Sequence, residues 1–75
     1  MILKDFIDKF VGCNSLVRLW KINDNKEHQM LCDATMEWKI LDNSKYKDYK
    51  VLYVKDILVD DFYREAINIV IDIGE

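Results

Sequence analysis

An α+β domain is the fold this sequence predicts: a short N-terminal helix packed on a five-stranded antiparallel sheet that curls into a small SH3-like or OB-like barrel. Three observations lead there. Apolar residues near the N-terminus recur at helical spacing, the rest of the chain is a series of short β-branched and aromatic runs, and the breaks between those runs are brief and polar. Seventy-five residues allow one domain, residues 1–75. A chain of this length buries only about 60% of its unfolded surface. Its 51% apolar content, nine aromatics, two glycines and absence of proline offset the small core and argue against disorder. Association with a second copy is a further way for so small a core to gain stability, so a homo-oligomer is compatible with this reading.

The helix is read from Leu3, Phe6, Ile7, Phe10 and Val11, which form one stripe at i, i+3, i+4, i+7 and i+8, with Lys4, Asp5, Asp8 and Lys9 on the other side. Gly12 stands where a left-handed residue would end it. Leu16 to Ile22 is β-branched and aromatic, with Val17 and Leu19 pointing one way and Leu16, Trp20 and Ile22 the other, so both faces should be covered. Asn23-Asp24-Asn25-Lys26 is a turn signal, and His28, Met30 and Cys32 recur at period two, giving a hairpin. Met36, Trp38 and Ile40 alternate with Glu37 and Lys39 as in a third strand, against a helix starting after Thr35. Asp42-Asn43-Ser44 breaks that run. Val51 to Val59 reads as a fourth strand with a bulge or bend at Lys55-Asp56. Asp60-Asp61 turns the chain. Ile67, Ile69, Ile71 and Ile73 should then share one buried face of the last strand, with Asn68 and Asp72 opposite. Connections this short point to an antiparallel meander, because a parallel crossover takes a dozen or more residues.

Two stretches carry the candidate binding residues. From Asp56 to Glu75 six acids face Arg64 alone, a local balance of −5 within an overall −3. Asp56, Asp60, Asp61 and Glu65 make an acidic face that suits a partner with a basic groove. Upstream, Lys45, Tyr46, Lys47, Tyr49 and Lys50 form a basic aromatic loop, the composition that stacks on a base and pairs with its phosphate. The plain alternatives are a solvated polar edge and a loop of water-facing lysines. The global acidity lacks the basic excess of proteins that grip nucleic-acid backbones.

Catalysis has little support in these residues. His28 is the single histidine, lies mid-strand, and has no nucleophile beside it in sequence. Glycine-rich phosphate loops and metal-ligand spacings are absent, so neither a cofactor nor a metal is expected. Cys13 and Cys32 form no Cys-x-x-Cys pair and read as buried hydrophobes. No apolar run approaches the ~20 residues of a membrane span, and the first residues lack a basic segment followed by a long apolar one. The expected location is the cytoplasm.

The stretches LKDFIDKFVGCNSLVRLW (Leu3 to Trp20), MEWKIL (Met36 to Leu41) and EAINIVI (Glu65 to Ile71) resemble short proteins of phages and integrated elements in Firmicutes. That resemblance implies a context. Tiny acidic proteins of such elements include stoichiometric inhibitors of host defence, such as anti-CRISPR proteins, and nucleotide-sequestering proteins. The expectation is a non-enzymatic, phage-encoded antagonist that binds a host-defence protein through its acidic surface, in the cytoplasm of the bacterial host. The rivals are a nucleotide- or nucleic-acid-binding module using the aromatic loop, and a small structural protein of phage assembly.

Overall fold

The structure is a computed structural model and describes residues 1–11, 15–36, 39–40, 45–59 and 64–74. A helix, α1 (Leu3–Phe10), is followed by the strands β1 (Leu16–Ile22), β2 (His28–Met36), β3 (Lys50–Val59) and β4 (Glu65–Asp72), with a 3₁₀ turn over Lys45–Asp48 ahead of β3. The strands form one mixed sheet in the order β2-β1-β4-β3. Hairpins β1–β2 and β3–β4 are antiparallel, and they are joined at the centre by parallel pairing of β1 with β4, from Leu16 opposite Ala66 to Trp20 opposite Val70.

The class is therefore α+β with one N-terminal helix, but the five-stranded antiparallel barrel is not the architecture. Two expectations account for the difference. Met36 ends β2 and Lys39–Ile40 are helical, so the alternation of Met36 and Ile40 does not mark a strand; Glu37 and Trp38 lie outside the described residues. Ile40 instead inserts into the core. A single amphipathic turn and a half-buried strand both place apolar residues a few positions apart, so so short a run could not separate them. The meander fails for another reason. A parallel crossover does not have to lie between consecutive strands, and here the chain from Asn23 to Arg64, which includes β2 and β3, serves as the connection. With β2 and β3 at its outer edges, the sheet is open.

One face of the sheet carries the core. Val17, Leu19, Ile67, Ile69 and Ile71 pack with Leu3 and Ile7 of α1 and with Ile40, while Phe6, Val11, Leu31, Cys32, Val51 and Ile73 fill its margins. The N-terminus of α1 is fixed by backbone bonds: Leu3 N–H donates to the Tyr49 carbonyl at 2.8 Å and Val51 N–H to the Met1 carbonyl at 2.9 Å. The first satisfies an N–H that the helix leaves open at its first turn, and the second holds the residue ahead of the helix against β3. Asp5 in the first turn and Lys9 in the last complement the helix dipole. The helix stops at Phe10, with Val11 already extended; Gly12 lies outside the described residues.

Phe10 departs from the expected buried stripe. Its side chain is 63% exposed and rests against Phe6, ring centroids 5.1 Å apart. Leu3 and Ile7, one turn apart, are the helix residues buried in the core; Phe10 shares their face by spacing but stands in the last turn, so its exposure follows from its position along the axis. The β1–β2 hairpin closes as expected at Asn23–Lys26, with Lys26 N–H bonded to the Asn23 carbonyl at 2.8 Å and Lys26 itself carrying the left-handed φ of 65°. Both outer strands are bulged: β3 loses register at Leu52 and at Lys55, and β2 twice against β1. Among the described residues, no helix is long and apolar enough to cross a membrane.

Burial ranks the helix contacts. Ile7→Ala should cost about 2–5 kcal/mol through the cavity it leaves. Phe10→Ala should cost about 0.5–1.5 kcal/mol, the scale of an aromatic pair at the surface. Urea denaturation of the two variants checks the order.

Candidate functional site

Among the described residues, β3 carries two runs of three exposed apolar side chains, Leu52–Val54 and, at the β3–β4 hairpin end, the more exposed Ile57–Val59. Beyond the bulge at Lys55 the pairing is regular: Asp56 opposite Asn68, Ile57 opposite Ile67, Leu58 opposite Ala66 and Val59 opposite Glu65. Ile57 and Val59 share the helix side of the sheet with Ile67, yet they are 56% and 61% exposed, and Leu58 on the other side is 52% exposed. Ile67, opposite Ile57, is buried with the core, whereas Ile57 and Val59 are not part of it. Ordinary proteins expose single apolar side chains freely, but three in succession on an edge strand form a patch.

The expected acidic residues divide around this patch. Glu65 is exposed beside Val59 on the helix side, whereas Asp56 is half-buried on the opposite face; Asp60 and Asp61 lie outside the described residues. Asp56 is tied down, accepting a hydrogen bond from Asn68 Nδ2 and lying 3.7 Å from Lys55 Nζ. The structure thus does not bring Asp56 and Glu65 onto one face. It places both at the base and margin of the apolar end.

The basic aromatic stretch is folded into the 3₁₀ turn and the start of β3. Lys45 and Lys50 are exposed, Lys47 is half-buried, and Tyr46 and Tyr49 are half-buried against the core. Their rings lie 6.1 Å apart, Lys45 Nζ sits 5.4 Å from the Tyr46 centroid, and the Tyr49 carbonyl holds the start of α1. Much of the ring surface expected to be open is therefore packed inward.

The face of the sheet away from α1 carries a network that the sequence did not announce. Asn68 is 1% exposed at the centre of it. Its Oδ1 accepts from Trp20 Nε1 at 2.9 Å and Arg18 Nη1 at 3.3 Å, while its Nδ2 donates to Asp56. Trp and Arg only donate and an ionised carboxylate only accepts, so the partners fix which way the amide points. Arg18 Nε in turn donates to Asp33 at 3.2 Å. Asp33, Arg18, Asn68 and Asp56 come from β2, β1, β4 and β3, one residue from each strand in spatial order. Lys55 covers the Trp20 ring at 4.9 Å, a cation–π contact.

Farther along the same face His28 Nε2 and Tyr53 Oη lie 2.7 Å apart, joining the two outer strands across the two central ones. His28 thus has a structural partner. Cys32 is a half-buried free thiol, its pKa pushed up by burial and then by the Asp33 carboxylate; Cys13 lies outside the described residues. Among the described residues, no three His, Cys, Asp or Glu side chains converge as metal ligands. A cleft of about 560 Å³ opens near the β1–β2 turn, where Leu52, Ile71 and Ile73 meet Lys21, Gln29 and Asp72. Its lining mixes apolar groups with both signs of charge and selects no ligand class.

No protein family, curated protein or solved structure matches this chain.

Two predictions follow from the network. Asn68→Ala should leave the Trp20 N–H without its partner, at about 1–3 kcal/mol, while Asp56 keeps Lys55 and water, read by urea denaturation. Asp33 has its pKa lowered from the usual 3.8 by the Ala34 backbone N–H and then by Arg18. A lowered folded-state value contributes stability above the ordinary Asp range and loses it as pH falls through the lowered value. Asp33→Asn should therefore flatten the acid limb of the stability curve and leave its shape at neutral pH unchanged.

Proposed function

We propose that this chain is a non-enzymatic binding protein that docks on a basic surface of a protein partner through its β3–β4 hairpin end. The observation that carries the reading is the exposed run Ile57, Leu58 and Val59, set in a stretch of sequence where, with Asp56 tied to Asn68 and Lys55, Asp60, Asp61 and Glu65 stand against Arg64. An apolar centre with a charged surround is the usual anatomy of a specific interface. The sign of the surround decides the partner. A second copy docked two-fold on this end would set acid against acid, whereas a basic partner gains in both encounter rate and register.

The resemblance to phage and mobile-element proteins gives this docking a setting, as a stoichiometric antagonist of a bacterial defence protein in the host cytoplasm. Capture of a nucleotide on Tyr46 and Tyr49 draws less support, since both rings are half-buried against the core.

Affinity capture from the bacterial host, read by mass spectrometry, tests the reading. A partner held by the native chain should be lost with Ile57→Asp and bind several-fold more slowly at low salt with Glu65→Lys. It should stay bound with Lys45→Ala and Lys47→Ala. The opposite pattern, loss on removing the lysines and indifference to Ile57→Asp and Glu65→Lys, would favour nucleotide capture and sink the protein-docking reading.

A further inference from the structure

We propose that the partner engages this hairpin end by strand addition: an extended, basic segment pairs with the outer edge of β3 from Asp56 to Val59 and becomes a fifth strand of the sheet. The inference rests on the reading of the hairpin end as the docking surface and specifies how that surface is used.

Four observations converge on this mode. β3 is an outer strand; Ile2 bridges its start at Lys50, and among the described residues no strand lies beside its outer edge from Asp56 to Val59. In a regular antiparallel pair, alternate residues turn N–H and C=O away from the partner, and the stretch from Asp56 to Val59 is the part of β3 that pairs regularly. Its exposed apolar side chains lie on both faces, Ile57 and Val59 on the helix side and Leu58 on the other. An added strand, whose own side chains alternate between faces, finds apolar contact on each. Finally, with Asp56 held by Asn68 and Lys55, the sequence from there to Glu65 still carries Asp60, Asp61 and Glu65 against Arg64, which favours a basic strand and disfavours pairing with a second copy.

The bulges set the limits. At Leu52 and Lys55 the twist and the local loss of pairing interrupt the edge, devices that protect outer strands from indiscriminate association. β2 is bulged twice as well and bears the exposed Asp33. Asn68, by holding Asp56, fixes β3 at the point where the regular edge begins.

The test uses the full chain and a blocked six-residue peptide of alternating lysine and valine, followed by NMR at low salt. Strand addition predicts shifted and slowly exchanging backbone amides within Asp56–Val59. It also predicts at least tenfold weaker binding for the same peptide N-methylated at every residue, which keeps side chains and charge but cannot donate. Glu65→Lys should weaken the unmodified peptide several-fold. Equal binding of the methylated peptide at the hairpin end, with sensitivity to Glu65→Lys intact, would overturn strand addition and leave the docking surface standing. No binding, or shifts confined to other strands, would also overturn it. Binding indifferent to Glu65→Lys would count against the basic-partner reading itself.

Discussion

The parallel pairing of β1 with β4 is the constraint on which the rest of this structure depends. It puts these two strands at the centre of the sheet and leaves β2 and β3 as edges. A central strand in so small a protein has two faces to cover, and the chain has one N-terminal helix to cover them with. The helix side is closed by Leu3, Ile7 and Ile40. The other side is closed by the sheet's own long side chains, which is why Val70 and Asn68 are as buried as the isoleucines beside them.

An amide buried in that position must find partners, since an unmade hydrogen bond costs more than a made one contributes. Asn68 finds them on both neighbouring strands, so one side chain ties β3 to β1 through β4. The arrangement extends through Arg18 to Asp33 on β2, and His28 with Tyr53 adds a second link between the edges. These contacts hold an open sheet together on the face that lacks a helix. They also account for the loss of Asp56 from the acidic surface, because its carboxylate serves the network.

Edges and core then divide the work between them. β2 and β3 are both bulged, and the part of β3 that pairs regularly after its second bulge, Asp56–Val59, carries the exposed Ile57, Leu58 and Val59. An outer strand left regular and apolar on both faces is a liability unless something pairs with it.

Several elements were legible in the sequence because local chemistry fixes them. The stripe of Leu3 and Ile7, the turn at Asn23–Lys26, the bulge at Lys55 and the alternating isoleucines of β4 each follow from spacing or residue type within a few positions. For β1 the expected cover of both faces is met in part: Val17 and Leu19 are buried on the helix side, while Leu16 and Trp20 on the other are half-buried and Ile22 is exposed. What depended on contacts far apart in the chain was not legible. Which strands pair, and in which sense, is set by the whole crossover from Asn23 to Arg64 and by no local signal, so the parallel centre and the open edges emerged only in three dimensions. The role of Asn68 had a faint trace, a polar residue in the middle of an isoleucine strand, but its donors and acceptor come from three other places in the sequence. Composition alone marks the acidic end of the chain. Only the tertiary structure decides that Asp56 binds an amide while Ile57, Leu58 and Val59 stay exposed, because exposure is a property of what packs alongside a residue and not of the residue itself.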